Sequence, residues 1–122
     1  MKYTMNKIYY LSTCDTCKRI ISELELKEKG FVFQDIKSEK ITSVQLEEIK
    51  NAVGSYEALF SRIARKYKEL GLGEKSLTEN DYKKFILEEY TFLKRPVIFI
   101  GNKVFVGNSK AVIAEAKKEL GK

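Results

Sequence analysis

The stretch Lys7-Ile8-Tyr9-Tyr10-Leu11-Ser12-Thr13-Cys14-Asp15-Thr16-Cys17-Lys18-Arg19-Ile20-Ile21 decides the fold. Its first five residues form a short apolar and aromatic run rich in strand formers, and they predict a buried strand. Cys17, Ile20, Ile21 and Leu24 then recur at i, i+3, i+4 and i+7, the spacing of an amphipathic helix, with Gly30 as its expected stop. Phe31-Val32-Phe33-Gln34-Asp35-Ile36 alternates and predicts a second strand. Strand, helix and strand in this order make a βαβ unit, whose strands are parallel and whose crossover is right-handed.

Outward from this unit the pattern changes. Thr42 with Gln45 has the spacing of a capping box, followed by Leu46, Ile49 and Val53 on one face and by Gly54. A second helical stretch is expected from about Ser55 to Leu70, with Gly71 as its stop. Thr78 with Asp81 marks another helix start, continued by Tyr82, Phe85, Ile86 and Glu89. Strands return with Val97-Ile98-Phe99-Ile100 and Lys103-Val104-Phe105-Val106. They flank Gly101-Asn102, a strong hairpin signal. Ser109 should cap a last helix that buries Val112, Ile113, Ala116 and Leu120. The expected fold class is α/β, a four-stranded mixed sheet of order β-α-β … β-β-α. Residues 1–122 are read as one domain, with an all-helical insertion at about 42–92.

Composition narrows the function. With 122 residues, 43% apolar and 33% charged, the chain is sized for one core that needs no disulfide staples. No apolar run approaches the roughly 20 residues of a membrane span, and the first residues lack the apolar core of a secretory signal. A cytoplasmic location is expected, with no membrane partner. The balance of 23 Lys and Arg against 17 Asp and Glu gives +6. The charges interleave at helical spacing, which describes a solvated surface better than a direct nucleic-acid interface. The chain has no histidine, so Ser-His-Asp and Cys-His triads, imidazole bases and His-ligated zinc are excluded. Two cysteines are too few for a disulfide framework, or for a zinc site without carboxylates. Chemistry is left to the cysteines, carboxylates and basic groups.

The cysteines carry the sharpest motif. Cys14-Asp15-Thr16-Cys17 lies where the first strand turns into the first helix. A C-x-x-C beside a βαβ pattern indicates a thioredoxin-like redox pair. Unpaired N–H groups and the partial positive charge of a helix N-terminus stabilise a thiolate there, and Lys18 and Arg19 add positive charge. Cys14 at the mouth is expected to attack and Cys17, one turn further in, to resolve. Pro96, the only proline, follows Arg95 and opens the third strand, where a missing N–H is tolerated.

These motifs together resemble the thioredoxin-fold arsenate reductase family, which also contains the Spx transcriptional regulators. The resemblance runs from about Lys7 to Leu120 and includes Tyr67-Lys68-Glu69-Leu70-Gly71-Leu72. It implies that Cys14 is the nucleophile and that Arg95 contacts an oxyanion substrate such as arsenate. It also implies that the Arg95–Pro96 bond is cis and lies near Cys14. A further arginine from a basic helix is implied near Ser61, and the adjacent Arg62 is the candidate. No bound cofactor is implied; glutathione with glutaredoxin, or thioredoxin, would donate electrons. The reductases carry another arginine late in the chain. This sequence has none after Arg95, which leaves Lys103 or Lys110 as substitutes. The alternative that the resemblance allows is a Spx-like redox-sensing regulator. In that reading Arg62, Arg65, Lys66 and Lys68 would contact RNA polymerase.

Overall fold

A computed structural model describes residues 5–121 of the chain. The chain divides into two compact units. One is built from residues up to Glu39 and those from Arg95 onward, the other from Lys40–Lys94.

The first unit holds the sheet. Strand β1 (Met5–Tyr10) is central and pairs in parallel with β2 (Val32–Asp35). On its other side β1 pairs antiparallel with β3 (Val97–Gly101), and β3 pairs antiparallel with β4 (Lys103–Val106). The order β2-β1-β3-β4 is the mixed, thioredoxin-like sheet that the sequence predicts. Gly101, with φ of 64°, takes the left-handed conformation that the two-residue hairpin turn needs. Helix α1 (Asp15–Glu23) crosses over between β1 and β2. In the chain's last helix (Lys110–Glu119), Ser109 caps the start by accepting the N–H of Val112.

Period-two alternation sorts the sheet into two faces. Ile8, Phe31, Ile98 and Ile100 pack with Ile20, Ile21 and Leu24 of the crossover and Ile113 and Ala116 of the last helix. Tyr9 and Phe99 meet edge to face on the opposite side, ring centres 6.3 Å apart.

The crossover helix ends at Glu23, well before the glycine expected to stop it. The termination is a Schellman motif with Leu24 as its cap. Glu25 N–H donates to the Ser22 carbonyl, and Leu26 N–H donates to the Ile21 carbonyl. Glu25 itself takes the left-handed φ of 55°. A glutamate in the position usually held by glycine is the reason the stop was not visible. The compensation is hydrophobic, since Leu24 and Leu26 are both fully buried in the same core.

The second unit contains α2 (Ser43–Val53), α3 (Arg65–Glu69) and α4 (Glu79–Glu88), so the last helix of the first unit is α5. Both expected capping boxes are present, at Thr42 with Gln45 and at Thr78 with Asp81, and Gly54 caps α2 with φ of 106°. The long helix expected from Ser55 to Leu70 does not form. A 3₁₀ turn at Glu57–Leu59 is followed by extended chain at Phe60 and a turn at Arg62 and Ile63, and α3 begins only at Arg65. Phe60 explains the break. It is fully buried, with ring centres of Tyr67, Tyr82, Phe85 and Phe92 at 6.0, 4.9, 6.5 and 4.9 Å. Its backbone bridges Leu93, with Ser61 N–H donating to Phe92 and Lys94 N–H to Leu59. Burial of one aromatic ring, worth about 1.5–3 kcal/mol, outweighs the helix propensity of the surrounding residues.

The Schellman termination is testable. Leu26→Ala is expected to cost about 2–5 kcal/mol in urea denaturation, whereas Lys27→Ala, on the exposed side, should stay within about 0.5 kcal/mol. Similar values for the two would show that Leu26 is not a core residue.

Candidate active site

The parallel β1–β2 pair and the antiparallel β1–β3 pair fix what lies at one end of the sheet. Tyr9 of β1 stands opposite Val97 of β3, so the turn leaving β1 meets the segment entering β3. The first delivers Cys14 and the second delivers Arg95 and Pro96. The Arg95–Pro96 bond is cis. Gly107 N–H donates to the Pro96 carbonyl at 2.9 Å, carrying the β3–β4 ladder to the same end.

Cys14 is the N-cap of α1 in extended conformation and is half-buried, while Cys17 is fully buried on the apolar stripe of the helix. Both are free thiols. The two sulfurs differ in acidity. Partial burial pushes the Cys14 pKa up, but the Cys17 N–H, the Cys17 thiol, the Arg95 charge and the Thr16 N–H act the other way. The net result lies below the ordinary thiol value. Burial pushes Cys17 up to about 11, reinforced by its hydrogen bond with Cys14 and by the charge there, against smaller opposing effects from the Leu11 backbone and Arg95. The structure therefore brings Cys14, Cys17 and Arg95 into one electrostatic environment. It sets the more acidic thiol at the mouth of a helix with the less acidic one behind it.

Arg62 belongs to the second unit. Its guanidinium donates to the Glu57 carboxylate at 2.9 Å and to the Tyr82 hydroxyl at 3.0 Å, and the Glu57 contact raises its pKa further. Of the two lysines considered as substitutes for a late arginine, Lys103 sits at the wrong end of the hairpin. It pairs with Ile100, at the opposite end of β3 from Arg95, and its ammonium is bound to Glu119 at 3.0 Å. Lys110, at the start of α5, follows the end of β4 that lies beside Pro96 and is exposed. Among the described residues no His, Cys, Asp and Glu cluster could hold a metal ion, and no helix is long and apolar enough to cross a membrane.

Two residues that the sequence did not single out adjoin the motif. Asp35, at the end of β2, accepts the N–H of Ser12, two residues before Cys14, at 3.2 Å. The sequence held only a faint signal for this contact, an acid closing the strand parallel to β1.

A family model described as the ArsC family matches residues 9–116, whereas no curated protein matches. Among solved structures, an arsenate reductase from Vibrio cholerae superposes with a TM-score of 0.77 at 17% identity, covering 93% of this chain and 98% of that one. At that identity the likeness is one of fold. An arsenate reductase related protein from Brucella melitensis is 26% identical, with a TM-score of 0.69 over 88% of this chain and 89% of its own. A protein from Staphylococcus aureus is 27% identical, with a TM-score of 0.69 over 91% and 97%. The matched span takes in Cys14, Cys17, Arg95 and Pro96 together with most of the chain, which therefore belongs to the ArsC family.

Proposed function

We propose that this ArsC-family protein is a thiol-dependent oxidoreductase in which the Cys14 thiolate attacks a small oxyanion such as arsenate. The carrying observation is the asymmetry of the two sulfurs. Cys14 is acidified at the N-terminus of α1 beside Arg95, and Cys17 is held protonated by burial.

The reaction follows from that asymmetry. The Cys14 sulfur attacks arsenic(V), forming an S–As bond as a protonated oxygen leaves as water. Arg95 and the helix N-terminus stabilise the anionic adduct. A second thiolate then attacks the Cys14 sulfur and breaks the S–As bond, whose electron pair stays on arsenic. Arsenic gains two electrons and leaves as arsenite, and the two sulfurs are oxidised to a disulfide. If the second thiol is Cys17, its proton passes to solvent or to the departing oxyanion. Forming the adduct also removes the Cys14 thiolate charge, which is one of the influences that hold Cys17 protonated. The resolving thiol is thus restrained until the nucleophile has been used. A dithiol donor such as thioredoxin, or glutathione with glutaredoxin, resets the pair. The cytoplasm is the compartment that suits a transient disulfide.

Alkylation against pH tests the thiol assignment. Cys14 should react with a midpoint below that of a free cysteine, and Cys14→Ser should leave only slow labelling of Cys17 with a midpoint above it. Faster reaction at Cys17 near neutral pH would reverse the roles. Thiol-dependent arsenate reduction by wild type beside Cys14→Ser tests the activity. If wild type is inactive and RNA polymerase is captured instead, the cysteines serve a regulator.

Arg95→Lys should weaken oxyanion binding more than it lowers the melting temperature, because lysine lacks the bidentate fork. Equal loss of both would make Arg95 structural. Mass spectrometry of the oxidised protein separates the two routes of resolution. Loss of two hydrogens mapping to a Cys14–Cys17 peptide indicates self-resolution, whereas a glutathione adduct on Cys14 with Cys17 free indicates the external route.

A further inference from the structure

The turn that delivers Cys14 is held from β2. Residues Leu11 to Cys14 form a tight turn, closed by the Cys14 N–H donating to the Leu11 carbonyl at 3.0 Å. The next group along the chain, the Ser12 N–H, donates to Oδ1 of Asp35 at 3.2 Å. The Leu11 carbonyl and the Ser12 N–H belong to one planar peptide unit. One edge of that plane therefore holds the amide of the nucleophilic cysteine, and the other edge is held by Asp35. The plane cannot rotate without breaking both bonds.

Asp35 is itself fixed. Its Oδ1 also accepts the Lys37 N–H at 3.2 Å, and its carbonyl accepts the N–H groups of Ser38 and Glu39 at 3.2 and 2.7 Å. Across the strand pair, Ile36 N–H donates to the Tyr10 carbonyl at 2.9 Å. The carboxylate is thus mounted on the turn after β2 and reaches across to the turn after β1.

We infer that Asp35 is a positioning residue for the Cys14 thiol, its carboxylate locking the Leu11–Ser12 peptide so that Cys14 is presented at the start of α1. The inference rests on Cys14 being the nucleophile. The ionised form of Asp35 is the one the contacts favour: slight burial pushes its pKa up, but its bonds with Ser12, Lys37 and Ser38 bring it below the usual carboxylate value. A carboxylate that acted through its charge would oppose thiolate formation at Cys14. One that acts through position supports it. The two roles therefore have opposite signs.

The test is the pH profile of Cys14 alkylation in wild type, Asp35→Ala and Asp35→Asn. Loss of the lock should raise the Cys14 midpoint and slow labelling at pH 7 by about 3- to 10-fold in Asp35→Ala, the size of one hydrogen bond. Asp35→Asn keeps an acceptor oxygen and should fall between. Ser12→Pro removes from the other partner both the N–H and the hydroxyl that Ser12 offers Asp35. No residue of this turn has positive φ, and proline suits the second position of such a turn. It should therefore reproduce the Asp35→Ala profile, and the double variant should be no slower than either single one.

Far-UV circular dichroism and melting checks that each variant folds. Should Asp35→Ala not fold, Ser12→Pro and Asp35→Asn carry the test. A wild-type midpoint below the ordinary thiol value with unchanged midpoints in the variants would overturn the positioning role alone. Faster labelling in the variants would show a charge effect and overturn it too. A wild-type Cys14 that titrates like a free cysteine would instead overturn the reading of Cys14 as nucleophile, and the positioning role with it.

Discussion

The antiparallel pairing of β1 with β3 is the constraint on which the rest depends. It sets residues far apart in sequence at one end of one sheet, with Tyr9 opposite Val97. From that register follow the neighbours of the thiol. The chain leaving β1 must turn into α1, and the chain entering β3 arrives through Arg95 and the cis Pro96. A one-residue slip would exchange the two faces of the strand. Ile8 and Ile98 would then leave the helix-covered core, so the hydrophobic pattern that stabilises the sheet also fixes the position of Arg95 relative to Cys14.

Within that frame, opposing influences give two sulfurs of the same type different acidities. One cysteine caps the start of α1 and the other lies in its first turn, and both are near one arginine. Cys14 is half-buried and faces the helix N–H groups, so stabilisation of charge wins. Cys17 is fully buried on the apolar stripe of the helix, so the cost of desolvating a charge wins. The apolar stripe that helps hold the helix on the sheet thus also keeps the inner thiol protonated. A polar substitution on that stripe would alter the redox pair as well as the packing.

How much of this was legible in the sequence depends on the range of the interaction. The capping boxes at Thr42 and Thr78, the Gly101-Asn102 hairpin and the Cys14 turn are local, and residue type at fixed spacing announces them. The end of α1 was misplaced because a buried leucine at position 26 substitutes for the expected glycine signal at Glu25. The break in the long helix at Phe60 was hidden because its cause is tertiary, an aromatic cluster assembled from Tyr67, Tyr82, Phe85 and Phe92. Asp35 was invisible for the same reason. Its contact with Ser12 exists only once two strands lie side by side.

The missing late arginine sharpens what the site must do with few charges. In the proposed reaction Arg95 would stabilise both the Cys14 thiolate and the anion that the thiolate attacks. Two anions that share one guanidinium repel each other, so the attacking encounter is costly unless further positive charge arrives. The N-terminus of α1 contributes about half a charge. Lys103 contributes nothing at this end, being bound to Glu119 at the far tip of the hairpin. Lys110, on the helix that begins beside the inner end of β4, is the lysine of the two whose place in the fold suits the role. As a point charge it can neutralise an oxyanion without fixing its orientation. In the proposed reaction, selectivity for substrate shape would rest on Arg95, with Lys110 offsetting charge.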